Sequence, residues 1–388
     1  HVDRSEAVSS VLLPILEDRA DSQQVAPEVA SIILTSRSKT LGSLFAQAPK
    51  TSDKAGRTSF ASGDSGQKVG ELSSAVSSGT LSRLPTEFDP SHGLRSSLEV
   101  GQNDSDWGES YEVKVLLGKG GFGTVQLVVR KKDKKKLAMK IVEAHKLSDR
   151  HRFQQEFDVS RQMKHPNIIG FHELLQGQNQ ICLIMDLCTG GDLFNMVIET
   201  QAFLAGRMYG GLQTSQVTRY AWQMLSGLAY LHHYRFAHRD VKLENYMLAT
   251  NSETSEVKLI DFGLARRFHK GAPMKSQVGT PHYCAPEVYE GTGYSELCDV
   301  WSLGVCMYVM GTASFPFGGK DQHEVLQNVK KDTHNFNDVN WTKHPKNLTK
   351  IIDMMMTKDP AQRVAAKVVL EDRWLRSKAS GESCCVIS

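Results

Sequence analysis

His238-Arg239-Asp240-Val241-Lys242-Leu243-Glu244-Asn245 is the stretch around which the chain is read. It places an Asp, a Lys two residues on and an Asn five residues on within one short segment. Phosphoryl transfer uses that set: a carboxylate to orient the attacking hydroxyl, a cation beside the moving phosphate, and a carboxamide to hold a metal ion on the nucleotide. Eight residues alone carry little weight, so the surrounding chain must supply the remaining parts.

Upstream, Tyr111–Leu117 alternates apolar and polar residues and runs into Gly118-Lys119-Gly120-Gly121-Phe122-Gly123-Thr124-Val125. A G-x-G-x-x-G also marks dinucleotide-binding turns, but those continue directly into a helix. Here Val125–Val129 is rich in β-branched residues and 130–136 reads as a charged turn. The pattern predicts a hairpin whose glycines let backbone N–H groups approach phosphates. Leu137–Val142 is the next strand and carries Lys140 among apolar residues, where a lysine needs an acidic partner. Residues 152–164 have helical periodicity and offer Glu156. Ile181–Met185 reads as a strand, and Asp186-Leu187-Cys188 leads to Gly190-Gly191 as a hinge.

The spacing predicts a long helix over Val217–His233 that delivers the chain to the opening stretch. Val257–Ile260 is a short strand ending at Asp261-Phe262-Gly263, where Asp261 can bridge a metal to phosphates. Ala285-Pro286-Glu287 closes a loop rich in small and polar residues, and Cys298–Met310 reads as a buried helix.

Glycine loop, A-x-K strand, helix Glu, H-R-D-x-K-x-x-N, D-F-G and A-P-E stand in the order of the eukaryotic protein kinases, which the chain resembles over residues 111–375. The resemblance implies an α+β bilobal fold, with a β-rich N-lobe over about 111–186 and a helical C-lobe over about 187–375. It implies ATP and Mg²⁺ as cofactors. By position, Lys140 would hold the phosphates and pair with Glu156, Asp240 would be the catalytic base, and Lys242 would stabilise the transferred group. Asn245 and Asp261 would bind Mg²⁺. The nucleotide would lie among Leu117, Gly118, Lys119, Gly120, Gly121, Phe122, Gly123, Val125, Ala138, Met185, Asp186, Cys188 and Met247. Glu287 would pair with Arg363, and Asp299 would brace the opening stretch.

Lys242 together with Gly279-Thr280-Pro281 resembles the serine/threonine rather than the tyrosine kinases, which implies protein substrates with Ser or Thr acceptors. His165–Ile168 and Gly190–Phe194 are similar to the calcium/calmodulin-dependent group. Arg239 implies a phosphate in the activation loop, and Ser276 stands at the usual place. Ser160 stands where the family usually has a larger apolar residue. Asp192 and Glu244 match acids that accept an Arg three residues before the target, whereas Val309 replaces an acid that reads a second Arg. Thr200–Leu212 is expanded relative to the family and reads as a surface loop. Fourteen residues follow Trp374, which leaves no room for an autoinhibitory helix or calmodulin-like module. No calcium-loop motif occurs either, so no direct calcium binding is expected.

The remaining sequence sets outer bounds. The net charge of +3 gives no argument for nucleic acid as a partner. Residues 1–110 hold 22 serines and only four aromatics, too little apolar surface to offset ordering, and read as a largely disordered tail. The chain opens on His rather than Met, which reads as a fragment. Five cysteines scattered through apolar runs, without C-x-x-C spacing, indicate reduced thiols and a cytoplasmic protein. The tail 376–388 ends in Cys385-Val386-Ile387-Ser388, a C-a-a-X pattern whose Ser points to farnesylation. Because one lipid anchors only marginally, palmitoylation of Cys384 or the basic residues Arg373, Arg376 and Lys378 would have to help hold the protein on the cytoplasmic face of a membrane.

Overall fold

The computed structural model describes residues 106–120, 123–143, 157, 159–176, 180–203, 210–269, 271–337 and 339–379. The N-lobe is one antiparallel sheet in the order β1-β2-β3-β5-β4. Its strands are β1 (Tyr111–Gly120), β2 (Gly123–Arg130), β3 (Lys136–Glu143), β4 (Phe171–Gln176) and β5 (Gln180–Asp186). Alternation along β3 divides its side chains between the two faces. Leu137 and Met139 join Tyr111, Val128, Cys182 and Ile184 in one cluster, whereas Ala138 packs with Leu117 and Leu127 in another. A short helix, α1 (Asp106–Ser110), places Trp107 against the first cluster. The lysines of the β2–β3 turn are exposed, and Arg130 closes that turn on Asp133 at 2.6 and 3.0 Å.

In the C-lobe, α2 (Leu193–Phe203) is followed by α3 (Thr214–His233), whose buried Val217, Tyr220, Ala221, Met224, Leu225, Leu228 and Leu231 follow the helical period. After the short α4 (Pro286–Glu290), α5 (Leu297–Thr312) is buried at every residue from Cys298 to Thr312. A helix hydrophobic all round must sit inside the lobe, and α5 does. Two small ladders bracket the opening stretch: β6 (Phe236–Ala237) pairs with β9 (Arg266–Arg267), and β7 (Tyr246–Leu248) with β8 (Val257–Leu259).

The lobes meet at a buried side chain. Asn167 donates through Nδ2 to Gln223 Oε1 and to the Val257 carbonyl, each at 3.1 Å. Its neighbour Ile169 donates its N–H to the Leu259 carbonyl at 2.9 Å.

The expected surface loop over Thr200–Leu212 needs correction at both ends. Thr200 lies within α2, and Leu212 is buried with its N–H on the Met310 carbonyl at 2.7 Å. Gly210 donates to Asn340 Oδ1 at 2.6 Å, and Lys343 Nζ reaches the Gly210 and Gly211 carbonyls. A leucine in this place hides its side chain in the lobe, which pulls the loop's exit inward. Among the described residues no helix is long and apolar enough to cross a membrane.

Candidate active site

The stretch His238–Asn245 runs from β6 into a short 3-10 turn, Leu243–Asn245, and is held from beneath by Asp299 of α5. Asp299 accepts the His238 N–H on Oδ2 and the Arg239 N–H on Oδ1, both at 2.7 Å, and His232 Nε2 lies 2.9 Å from Oδ2. Burial pushes this carboxyl up, but His232, His238 and the Arg239 N–H outweigh it and keep it ionised. The clamp matters because Arg239 has φ +67°, a left-handed backbone costing about 1–3 kcal/mol in a non-glycine residue.

Beyond the clamp the reactive groups converge. Asp240 Oδ1 accepts from the Thr280 hydroxyl at 2.7 Å, and Lys242 Nζ stands 2.9 Å from both Asp240 Oδ2 and Thr280 Oγ1. Asn245 donates through Nδ2 to the Asp240 carbonyl at 2.8 Å and to Oδ2 at 3.3 Å, which leaves Oδ1 as its ligand atom. The Asn245 carbonyl accepts the Ile260 N–H at 3.0 Å, placing the start of D-F-G beside it. Burial pushes the Asp261 carboxyl up, yet Lys140, the Gly263 N–H at 2.9 Å, His238 and Lys242 together hold it below the ordinary value. Lys140 on β3 and Asp261 are therefore electrostatic neighbours. One carboxylate and one carboxamide oxygen suit Mg²⁺, which takes one or two protein oxygens and completes its shell with phosphates and water.

The nucleotide walls come from both lobes. Leu117, Val125 and Ala138 share one cluster above, and Met185 and Met247 pack against the C-lobe core below. Gly118, Lys119 and Gly120 pair with Val125, Thr124 and Gly123 across the hairpin, and Lys119 is exposed. At Gly123, with φ +144°, a Cβ would stand 1.9 Å from the Ile141 carbonyl oxygen. Cys188 is buried and its thiol is pushed up to about 12 by burial, so this hinge residue offers main-chain groups rather than a thiolate. At the hinge, the Asp186 carboxylate is held by His172 Nε2 at 2.8 Å and Lys135 Nζ at 3.4 Å. Gly121, Phe122, Glu156, Cys384 and Cys385 lie outside the described residues.

Several outlying residues are also placed. Arg363 forks onto Glu287 at 2.5 and 3.0 Å, caps the Leu297, Thr357 and Lys358 carbonyls, and lies over Trp301. Ser160 and Val309 are buried. Asp192 is buried and accepts from the Asn195 N–H at 2.8 Å and Nδ2 at 2.7 Å, with burial pushing it up to about 6. Glu244 is buried, and the Tyr283 hydroxyl lies against its carboxylate as a side-chain hydrogen-bond partner. Ser276 is exposed. Sequence reasoning passed over Thr280 as a member of the site, although its place between Asp240 and Lys242 could have been suspected from the hydroxyl in G-T-P.

The protein kinase domain model matches residues 111–375. The chain belongs to the protein kinase family. Calcium-dependent protein kinase 3 of Plasmodium berghei is 38% identical over 263 residues, covering 68% of this chain and 46% of the relative. Calcium-dependent protein kinase 5 of Plasmodium falciparum is 32% identical over 294 residues, covering 76% and 50%. Calcium/calmodulin-dependent protein kinase type II of Caenorhabditis elegans is 33% identical over 269 residues, covering 69% and 36%. The chain thus spans half or less of the length of these relatives. The five-stranded lobe and the helical lobe are those of the bilobal kinase fold.

Proposed function

We propose that this protein is a serine/threonine protein kinase that transfers the γ-phosphate of ATP to protein hydroxyls. The observation that carries the reading is the triangle of Asp240, Lys242 and Thr280, with Asn245 and Asp261 beside it. A substrate hydroxyl brought to the Asp240 carboxylate is oriented by it and gives it the proton. Lys242, beside Asp240, supplies positive charge to the moving phosphoryl group, and Lys140 holds the phosphates that stay behind. Bound Mg²⁺, held by Asn245 Oδ1 and Asp261, supplies charge neutralisation at the phosphate oxygens. Incubation with ATP and a Ser/Thr peptide library should give phosphopeptides, and Asp240→Asn should lower the rate about 10²–10⁴-fold. Equal incorporation by both proteins would remove Asp240 from its role, and none by either would favour a scaffold.

The substrate preference we assign is one Arg three residues before the target. Glu244 and Asp192 are the candidate acceptors, and each already has a partner, Glu244 the Tyr283 hydroxyl and Asp192 the Asn195 N–H and Nδ2. A library without Arg enrichment at that position refutes this.

We also assign membrane tethering to Cys385, on its terminal C-a-a-X register, with Cys384 or the exposed Arg373 and Lys378 of the last helix, Arg373–Ala379, as second signal. Cys385→Ser should move the protein off membranes in prenylating cells, and unchanged partitioning would exclude the lipid.

A further inference from the structure

Arg239 makes its side-chain bonds to uncharged oxygens. Its Nε donates to the Leu264 carbonyl at 2.7 Å, one residue after D-F-G, and Nη1 donates to the Tyr294 hydroxyl at 3.2 Å. Tyr294 Oη in turn donates to the Ser276 carbonyl at 2.7 Å. The same tyrosine exchanges main-chain bonds with Met274, N–H to carbonyl in both directions, at 2.8 and 2.9 Å. Its ring is buried, and Gly293 before it has φ +115°, packed where a Cβ would meet the Pro273 ring at 2.8 Å. The approach of this turn to the loop is therefore built into the backbone. A continuous path of hydrogen bonds runs from Leu264 through Arg239 and Tyr294 to Ser276, tying both arms of the activation segment to the catalytic loop. The Ser276 side chain takes no part in it, being exposed with only its carbonyl engaged.

We propose that Tyr294 is a positioning residue that ties the Ser276 main chain to Arg239, so that the segment is ordered for catalysis without a phosphate on Ser276. A hydroxyl is suited to this relay because it accepts from the guanidinium and donates to a carbonyl at once. A phosphate in its place would only accept. The inference rests on the kinase reading and adds to it that the unphosphorylated enzyme is competent. Phosphate on Ser276, if added, then acts on an already ordered segment.

The test uses full-length protein freed of phosphate by phosphatase, with Asp240→Asn as the blank. Wild type and Ser276→Ala should phosphorylate peptide at similar rates. Tyr294→Phe, which keeps the ring and both main-chain bonds, removes both hydrogen bonds of the relay and should lose about tenfold in kcat, with the KM for ATP unchanged. Tyr294→Phe should add nothing to Arg239→Lys, because both break one path. A purely packing role would instead lower thermal stability and leave kcat alone. Three results overturn the proposal: dephosphorylated wild type that is inactive until Ser276 carries phosphate, Tyr294→Phe with wild-type kcat, or additive losses in the double variant. No incorporation by wild type in either phosphorylation state would strike the kinase reading itself.

Discussion

The two lobes hold their shares of the site by different means. Below, the catalytic stretch is held from polar anchors: the buried Asp299 on two main-chain N–H groups, the half-buried Thr280 between Asp240 and Lys242, and the buried Arg363 on Glu287 behind them. Above, the glycine hairpin packs on two small apolar clusters, its sides kept together by ladder bonds and one close glycine contact. The difference suits the division of labour. The reacting groups must be within a few tenths of an ångström before substrate arrives, whereas the phosphate cover must open and close. Breaking a lower anchor should therefore cost stability, and altering the upper hairpin should cost nucleotide affinity.

The largest effect is expected at the lower anchor. Arg363→Met leaves Glu287 buried without its fork and should destabilise the protein by about 3–5 kcal/mol, read as a lowered urea midpoint with unchanged slope. A midpoint near that of the wild type would show that the C-lobe tolerates an unpaired acid and would undo the contrast.

Next comes the hairpin. Gly123→Ala drives a Cβ into the Ile141 carbonyl at a φ that only glycine holds comfortably, so the loop must lift. The KM for ATP should rise about tenfold, roughly the effect of 1.4 kcal/mol, with little change in the urea midpoint. A large drop in the midpoint would mean that the hairpin unfolds together with the rest.

The smallest effect concerns pH. Asp192 is raised in the folded protein from its ordinary 3.8 to about 6, chiefly by burial. Its contribution to stability is full below 3.8 and is lost as pH rises through 6, so the folded protein takes up this proton as pH falls through 6. Neutral Asp192 attracts an incoming guanidinium less, and the ratio of kcat/KM for peptides with Arg or Ala three residues upstream should shrink between pH 7 and 5. A flat ratio would leave recognition to Glu244 alone.

Much of the lower half was legible because its residues are close in sequence: Asp240, Lys242 and Asn245 lie within six positions, and Asp299 and Arg363 stand at family offsets. Alternation along β3 likewise showed that Lys140 faces away from Leu137 and Met139. What escaped were roles set by reach across the fold. Tyr294 meets residues 18 and 55 positions away, and nothing near it in the chain marks its hydroxyl as a relay. Asp186 stands at the hinge, and the His172 and Lys135 partners of its carboxylate come from elsewhere in the fold. Leu212 looked like part of a loop because a single leucine between two glycines and a polar run has no period to betray its burial.

The anchoring of Gly210–Leu212 has a practical use. Helix α2 ends at Phe203, and the chain is fastened again from Gly210 by Asn340, Lys343 and Met310. An insertion at Gly210–Leu212 would displace the contacts with Asn340 and Lys343 and the one that runs to α5, the helix that also carries Asp299. An affinity tag or fluorescent reporter is therefore kept clear of Gly210–Leu212 if the catalytic unit is to stay intact.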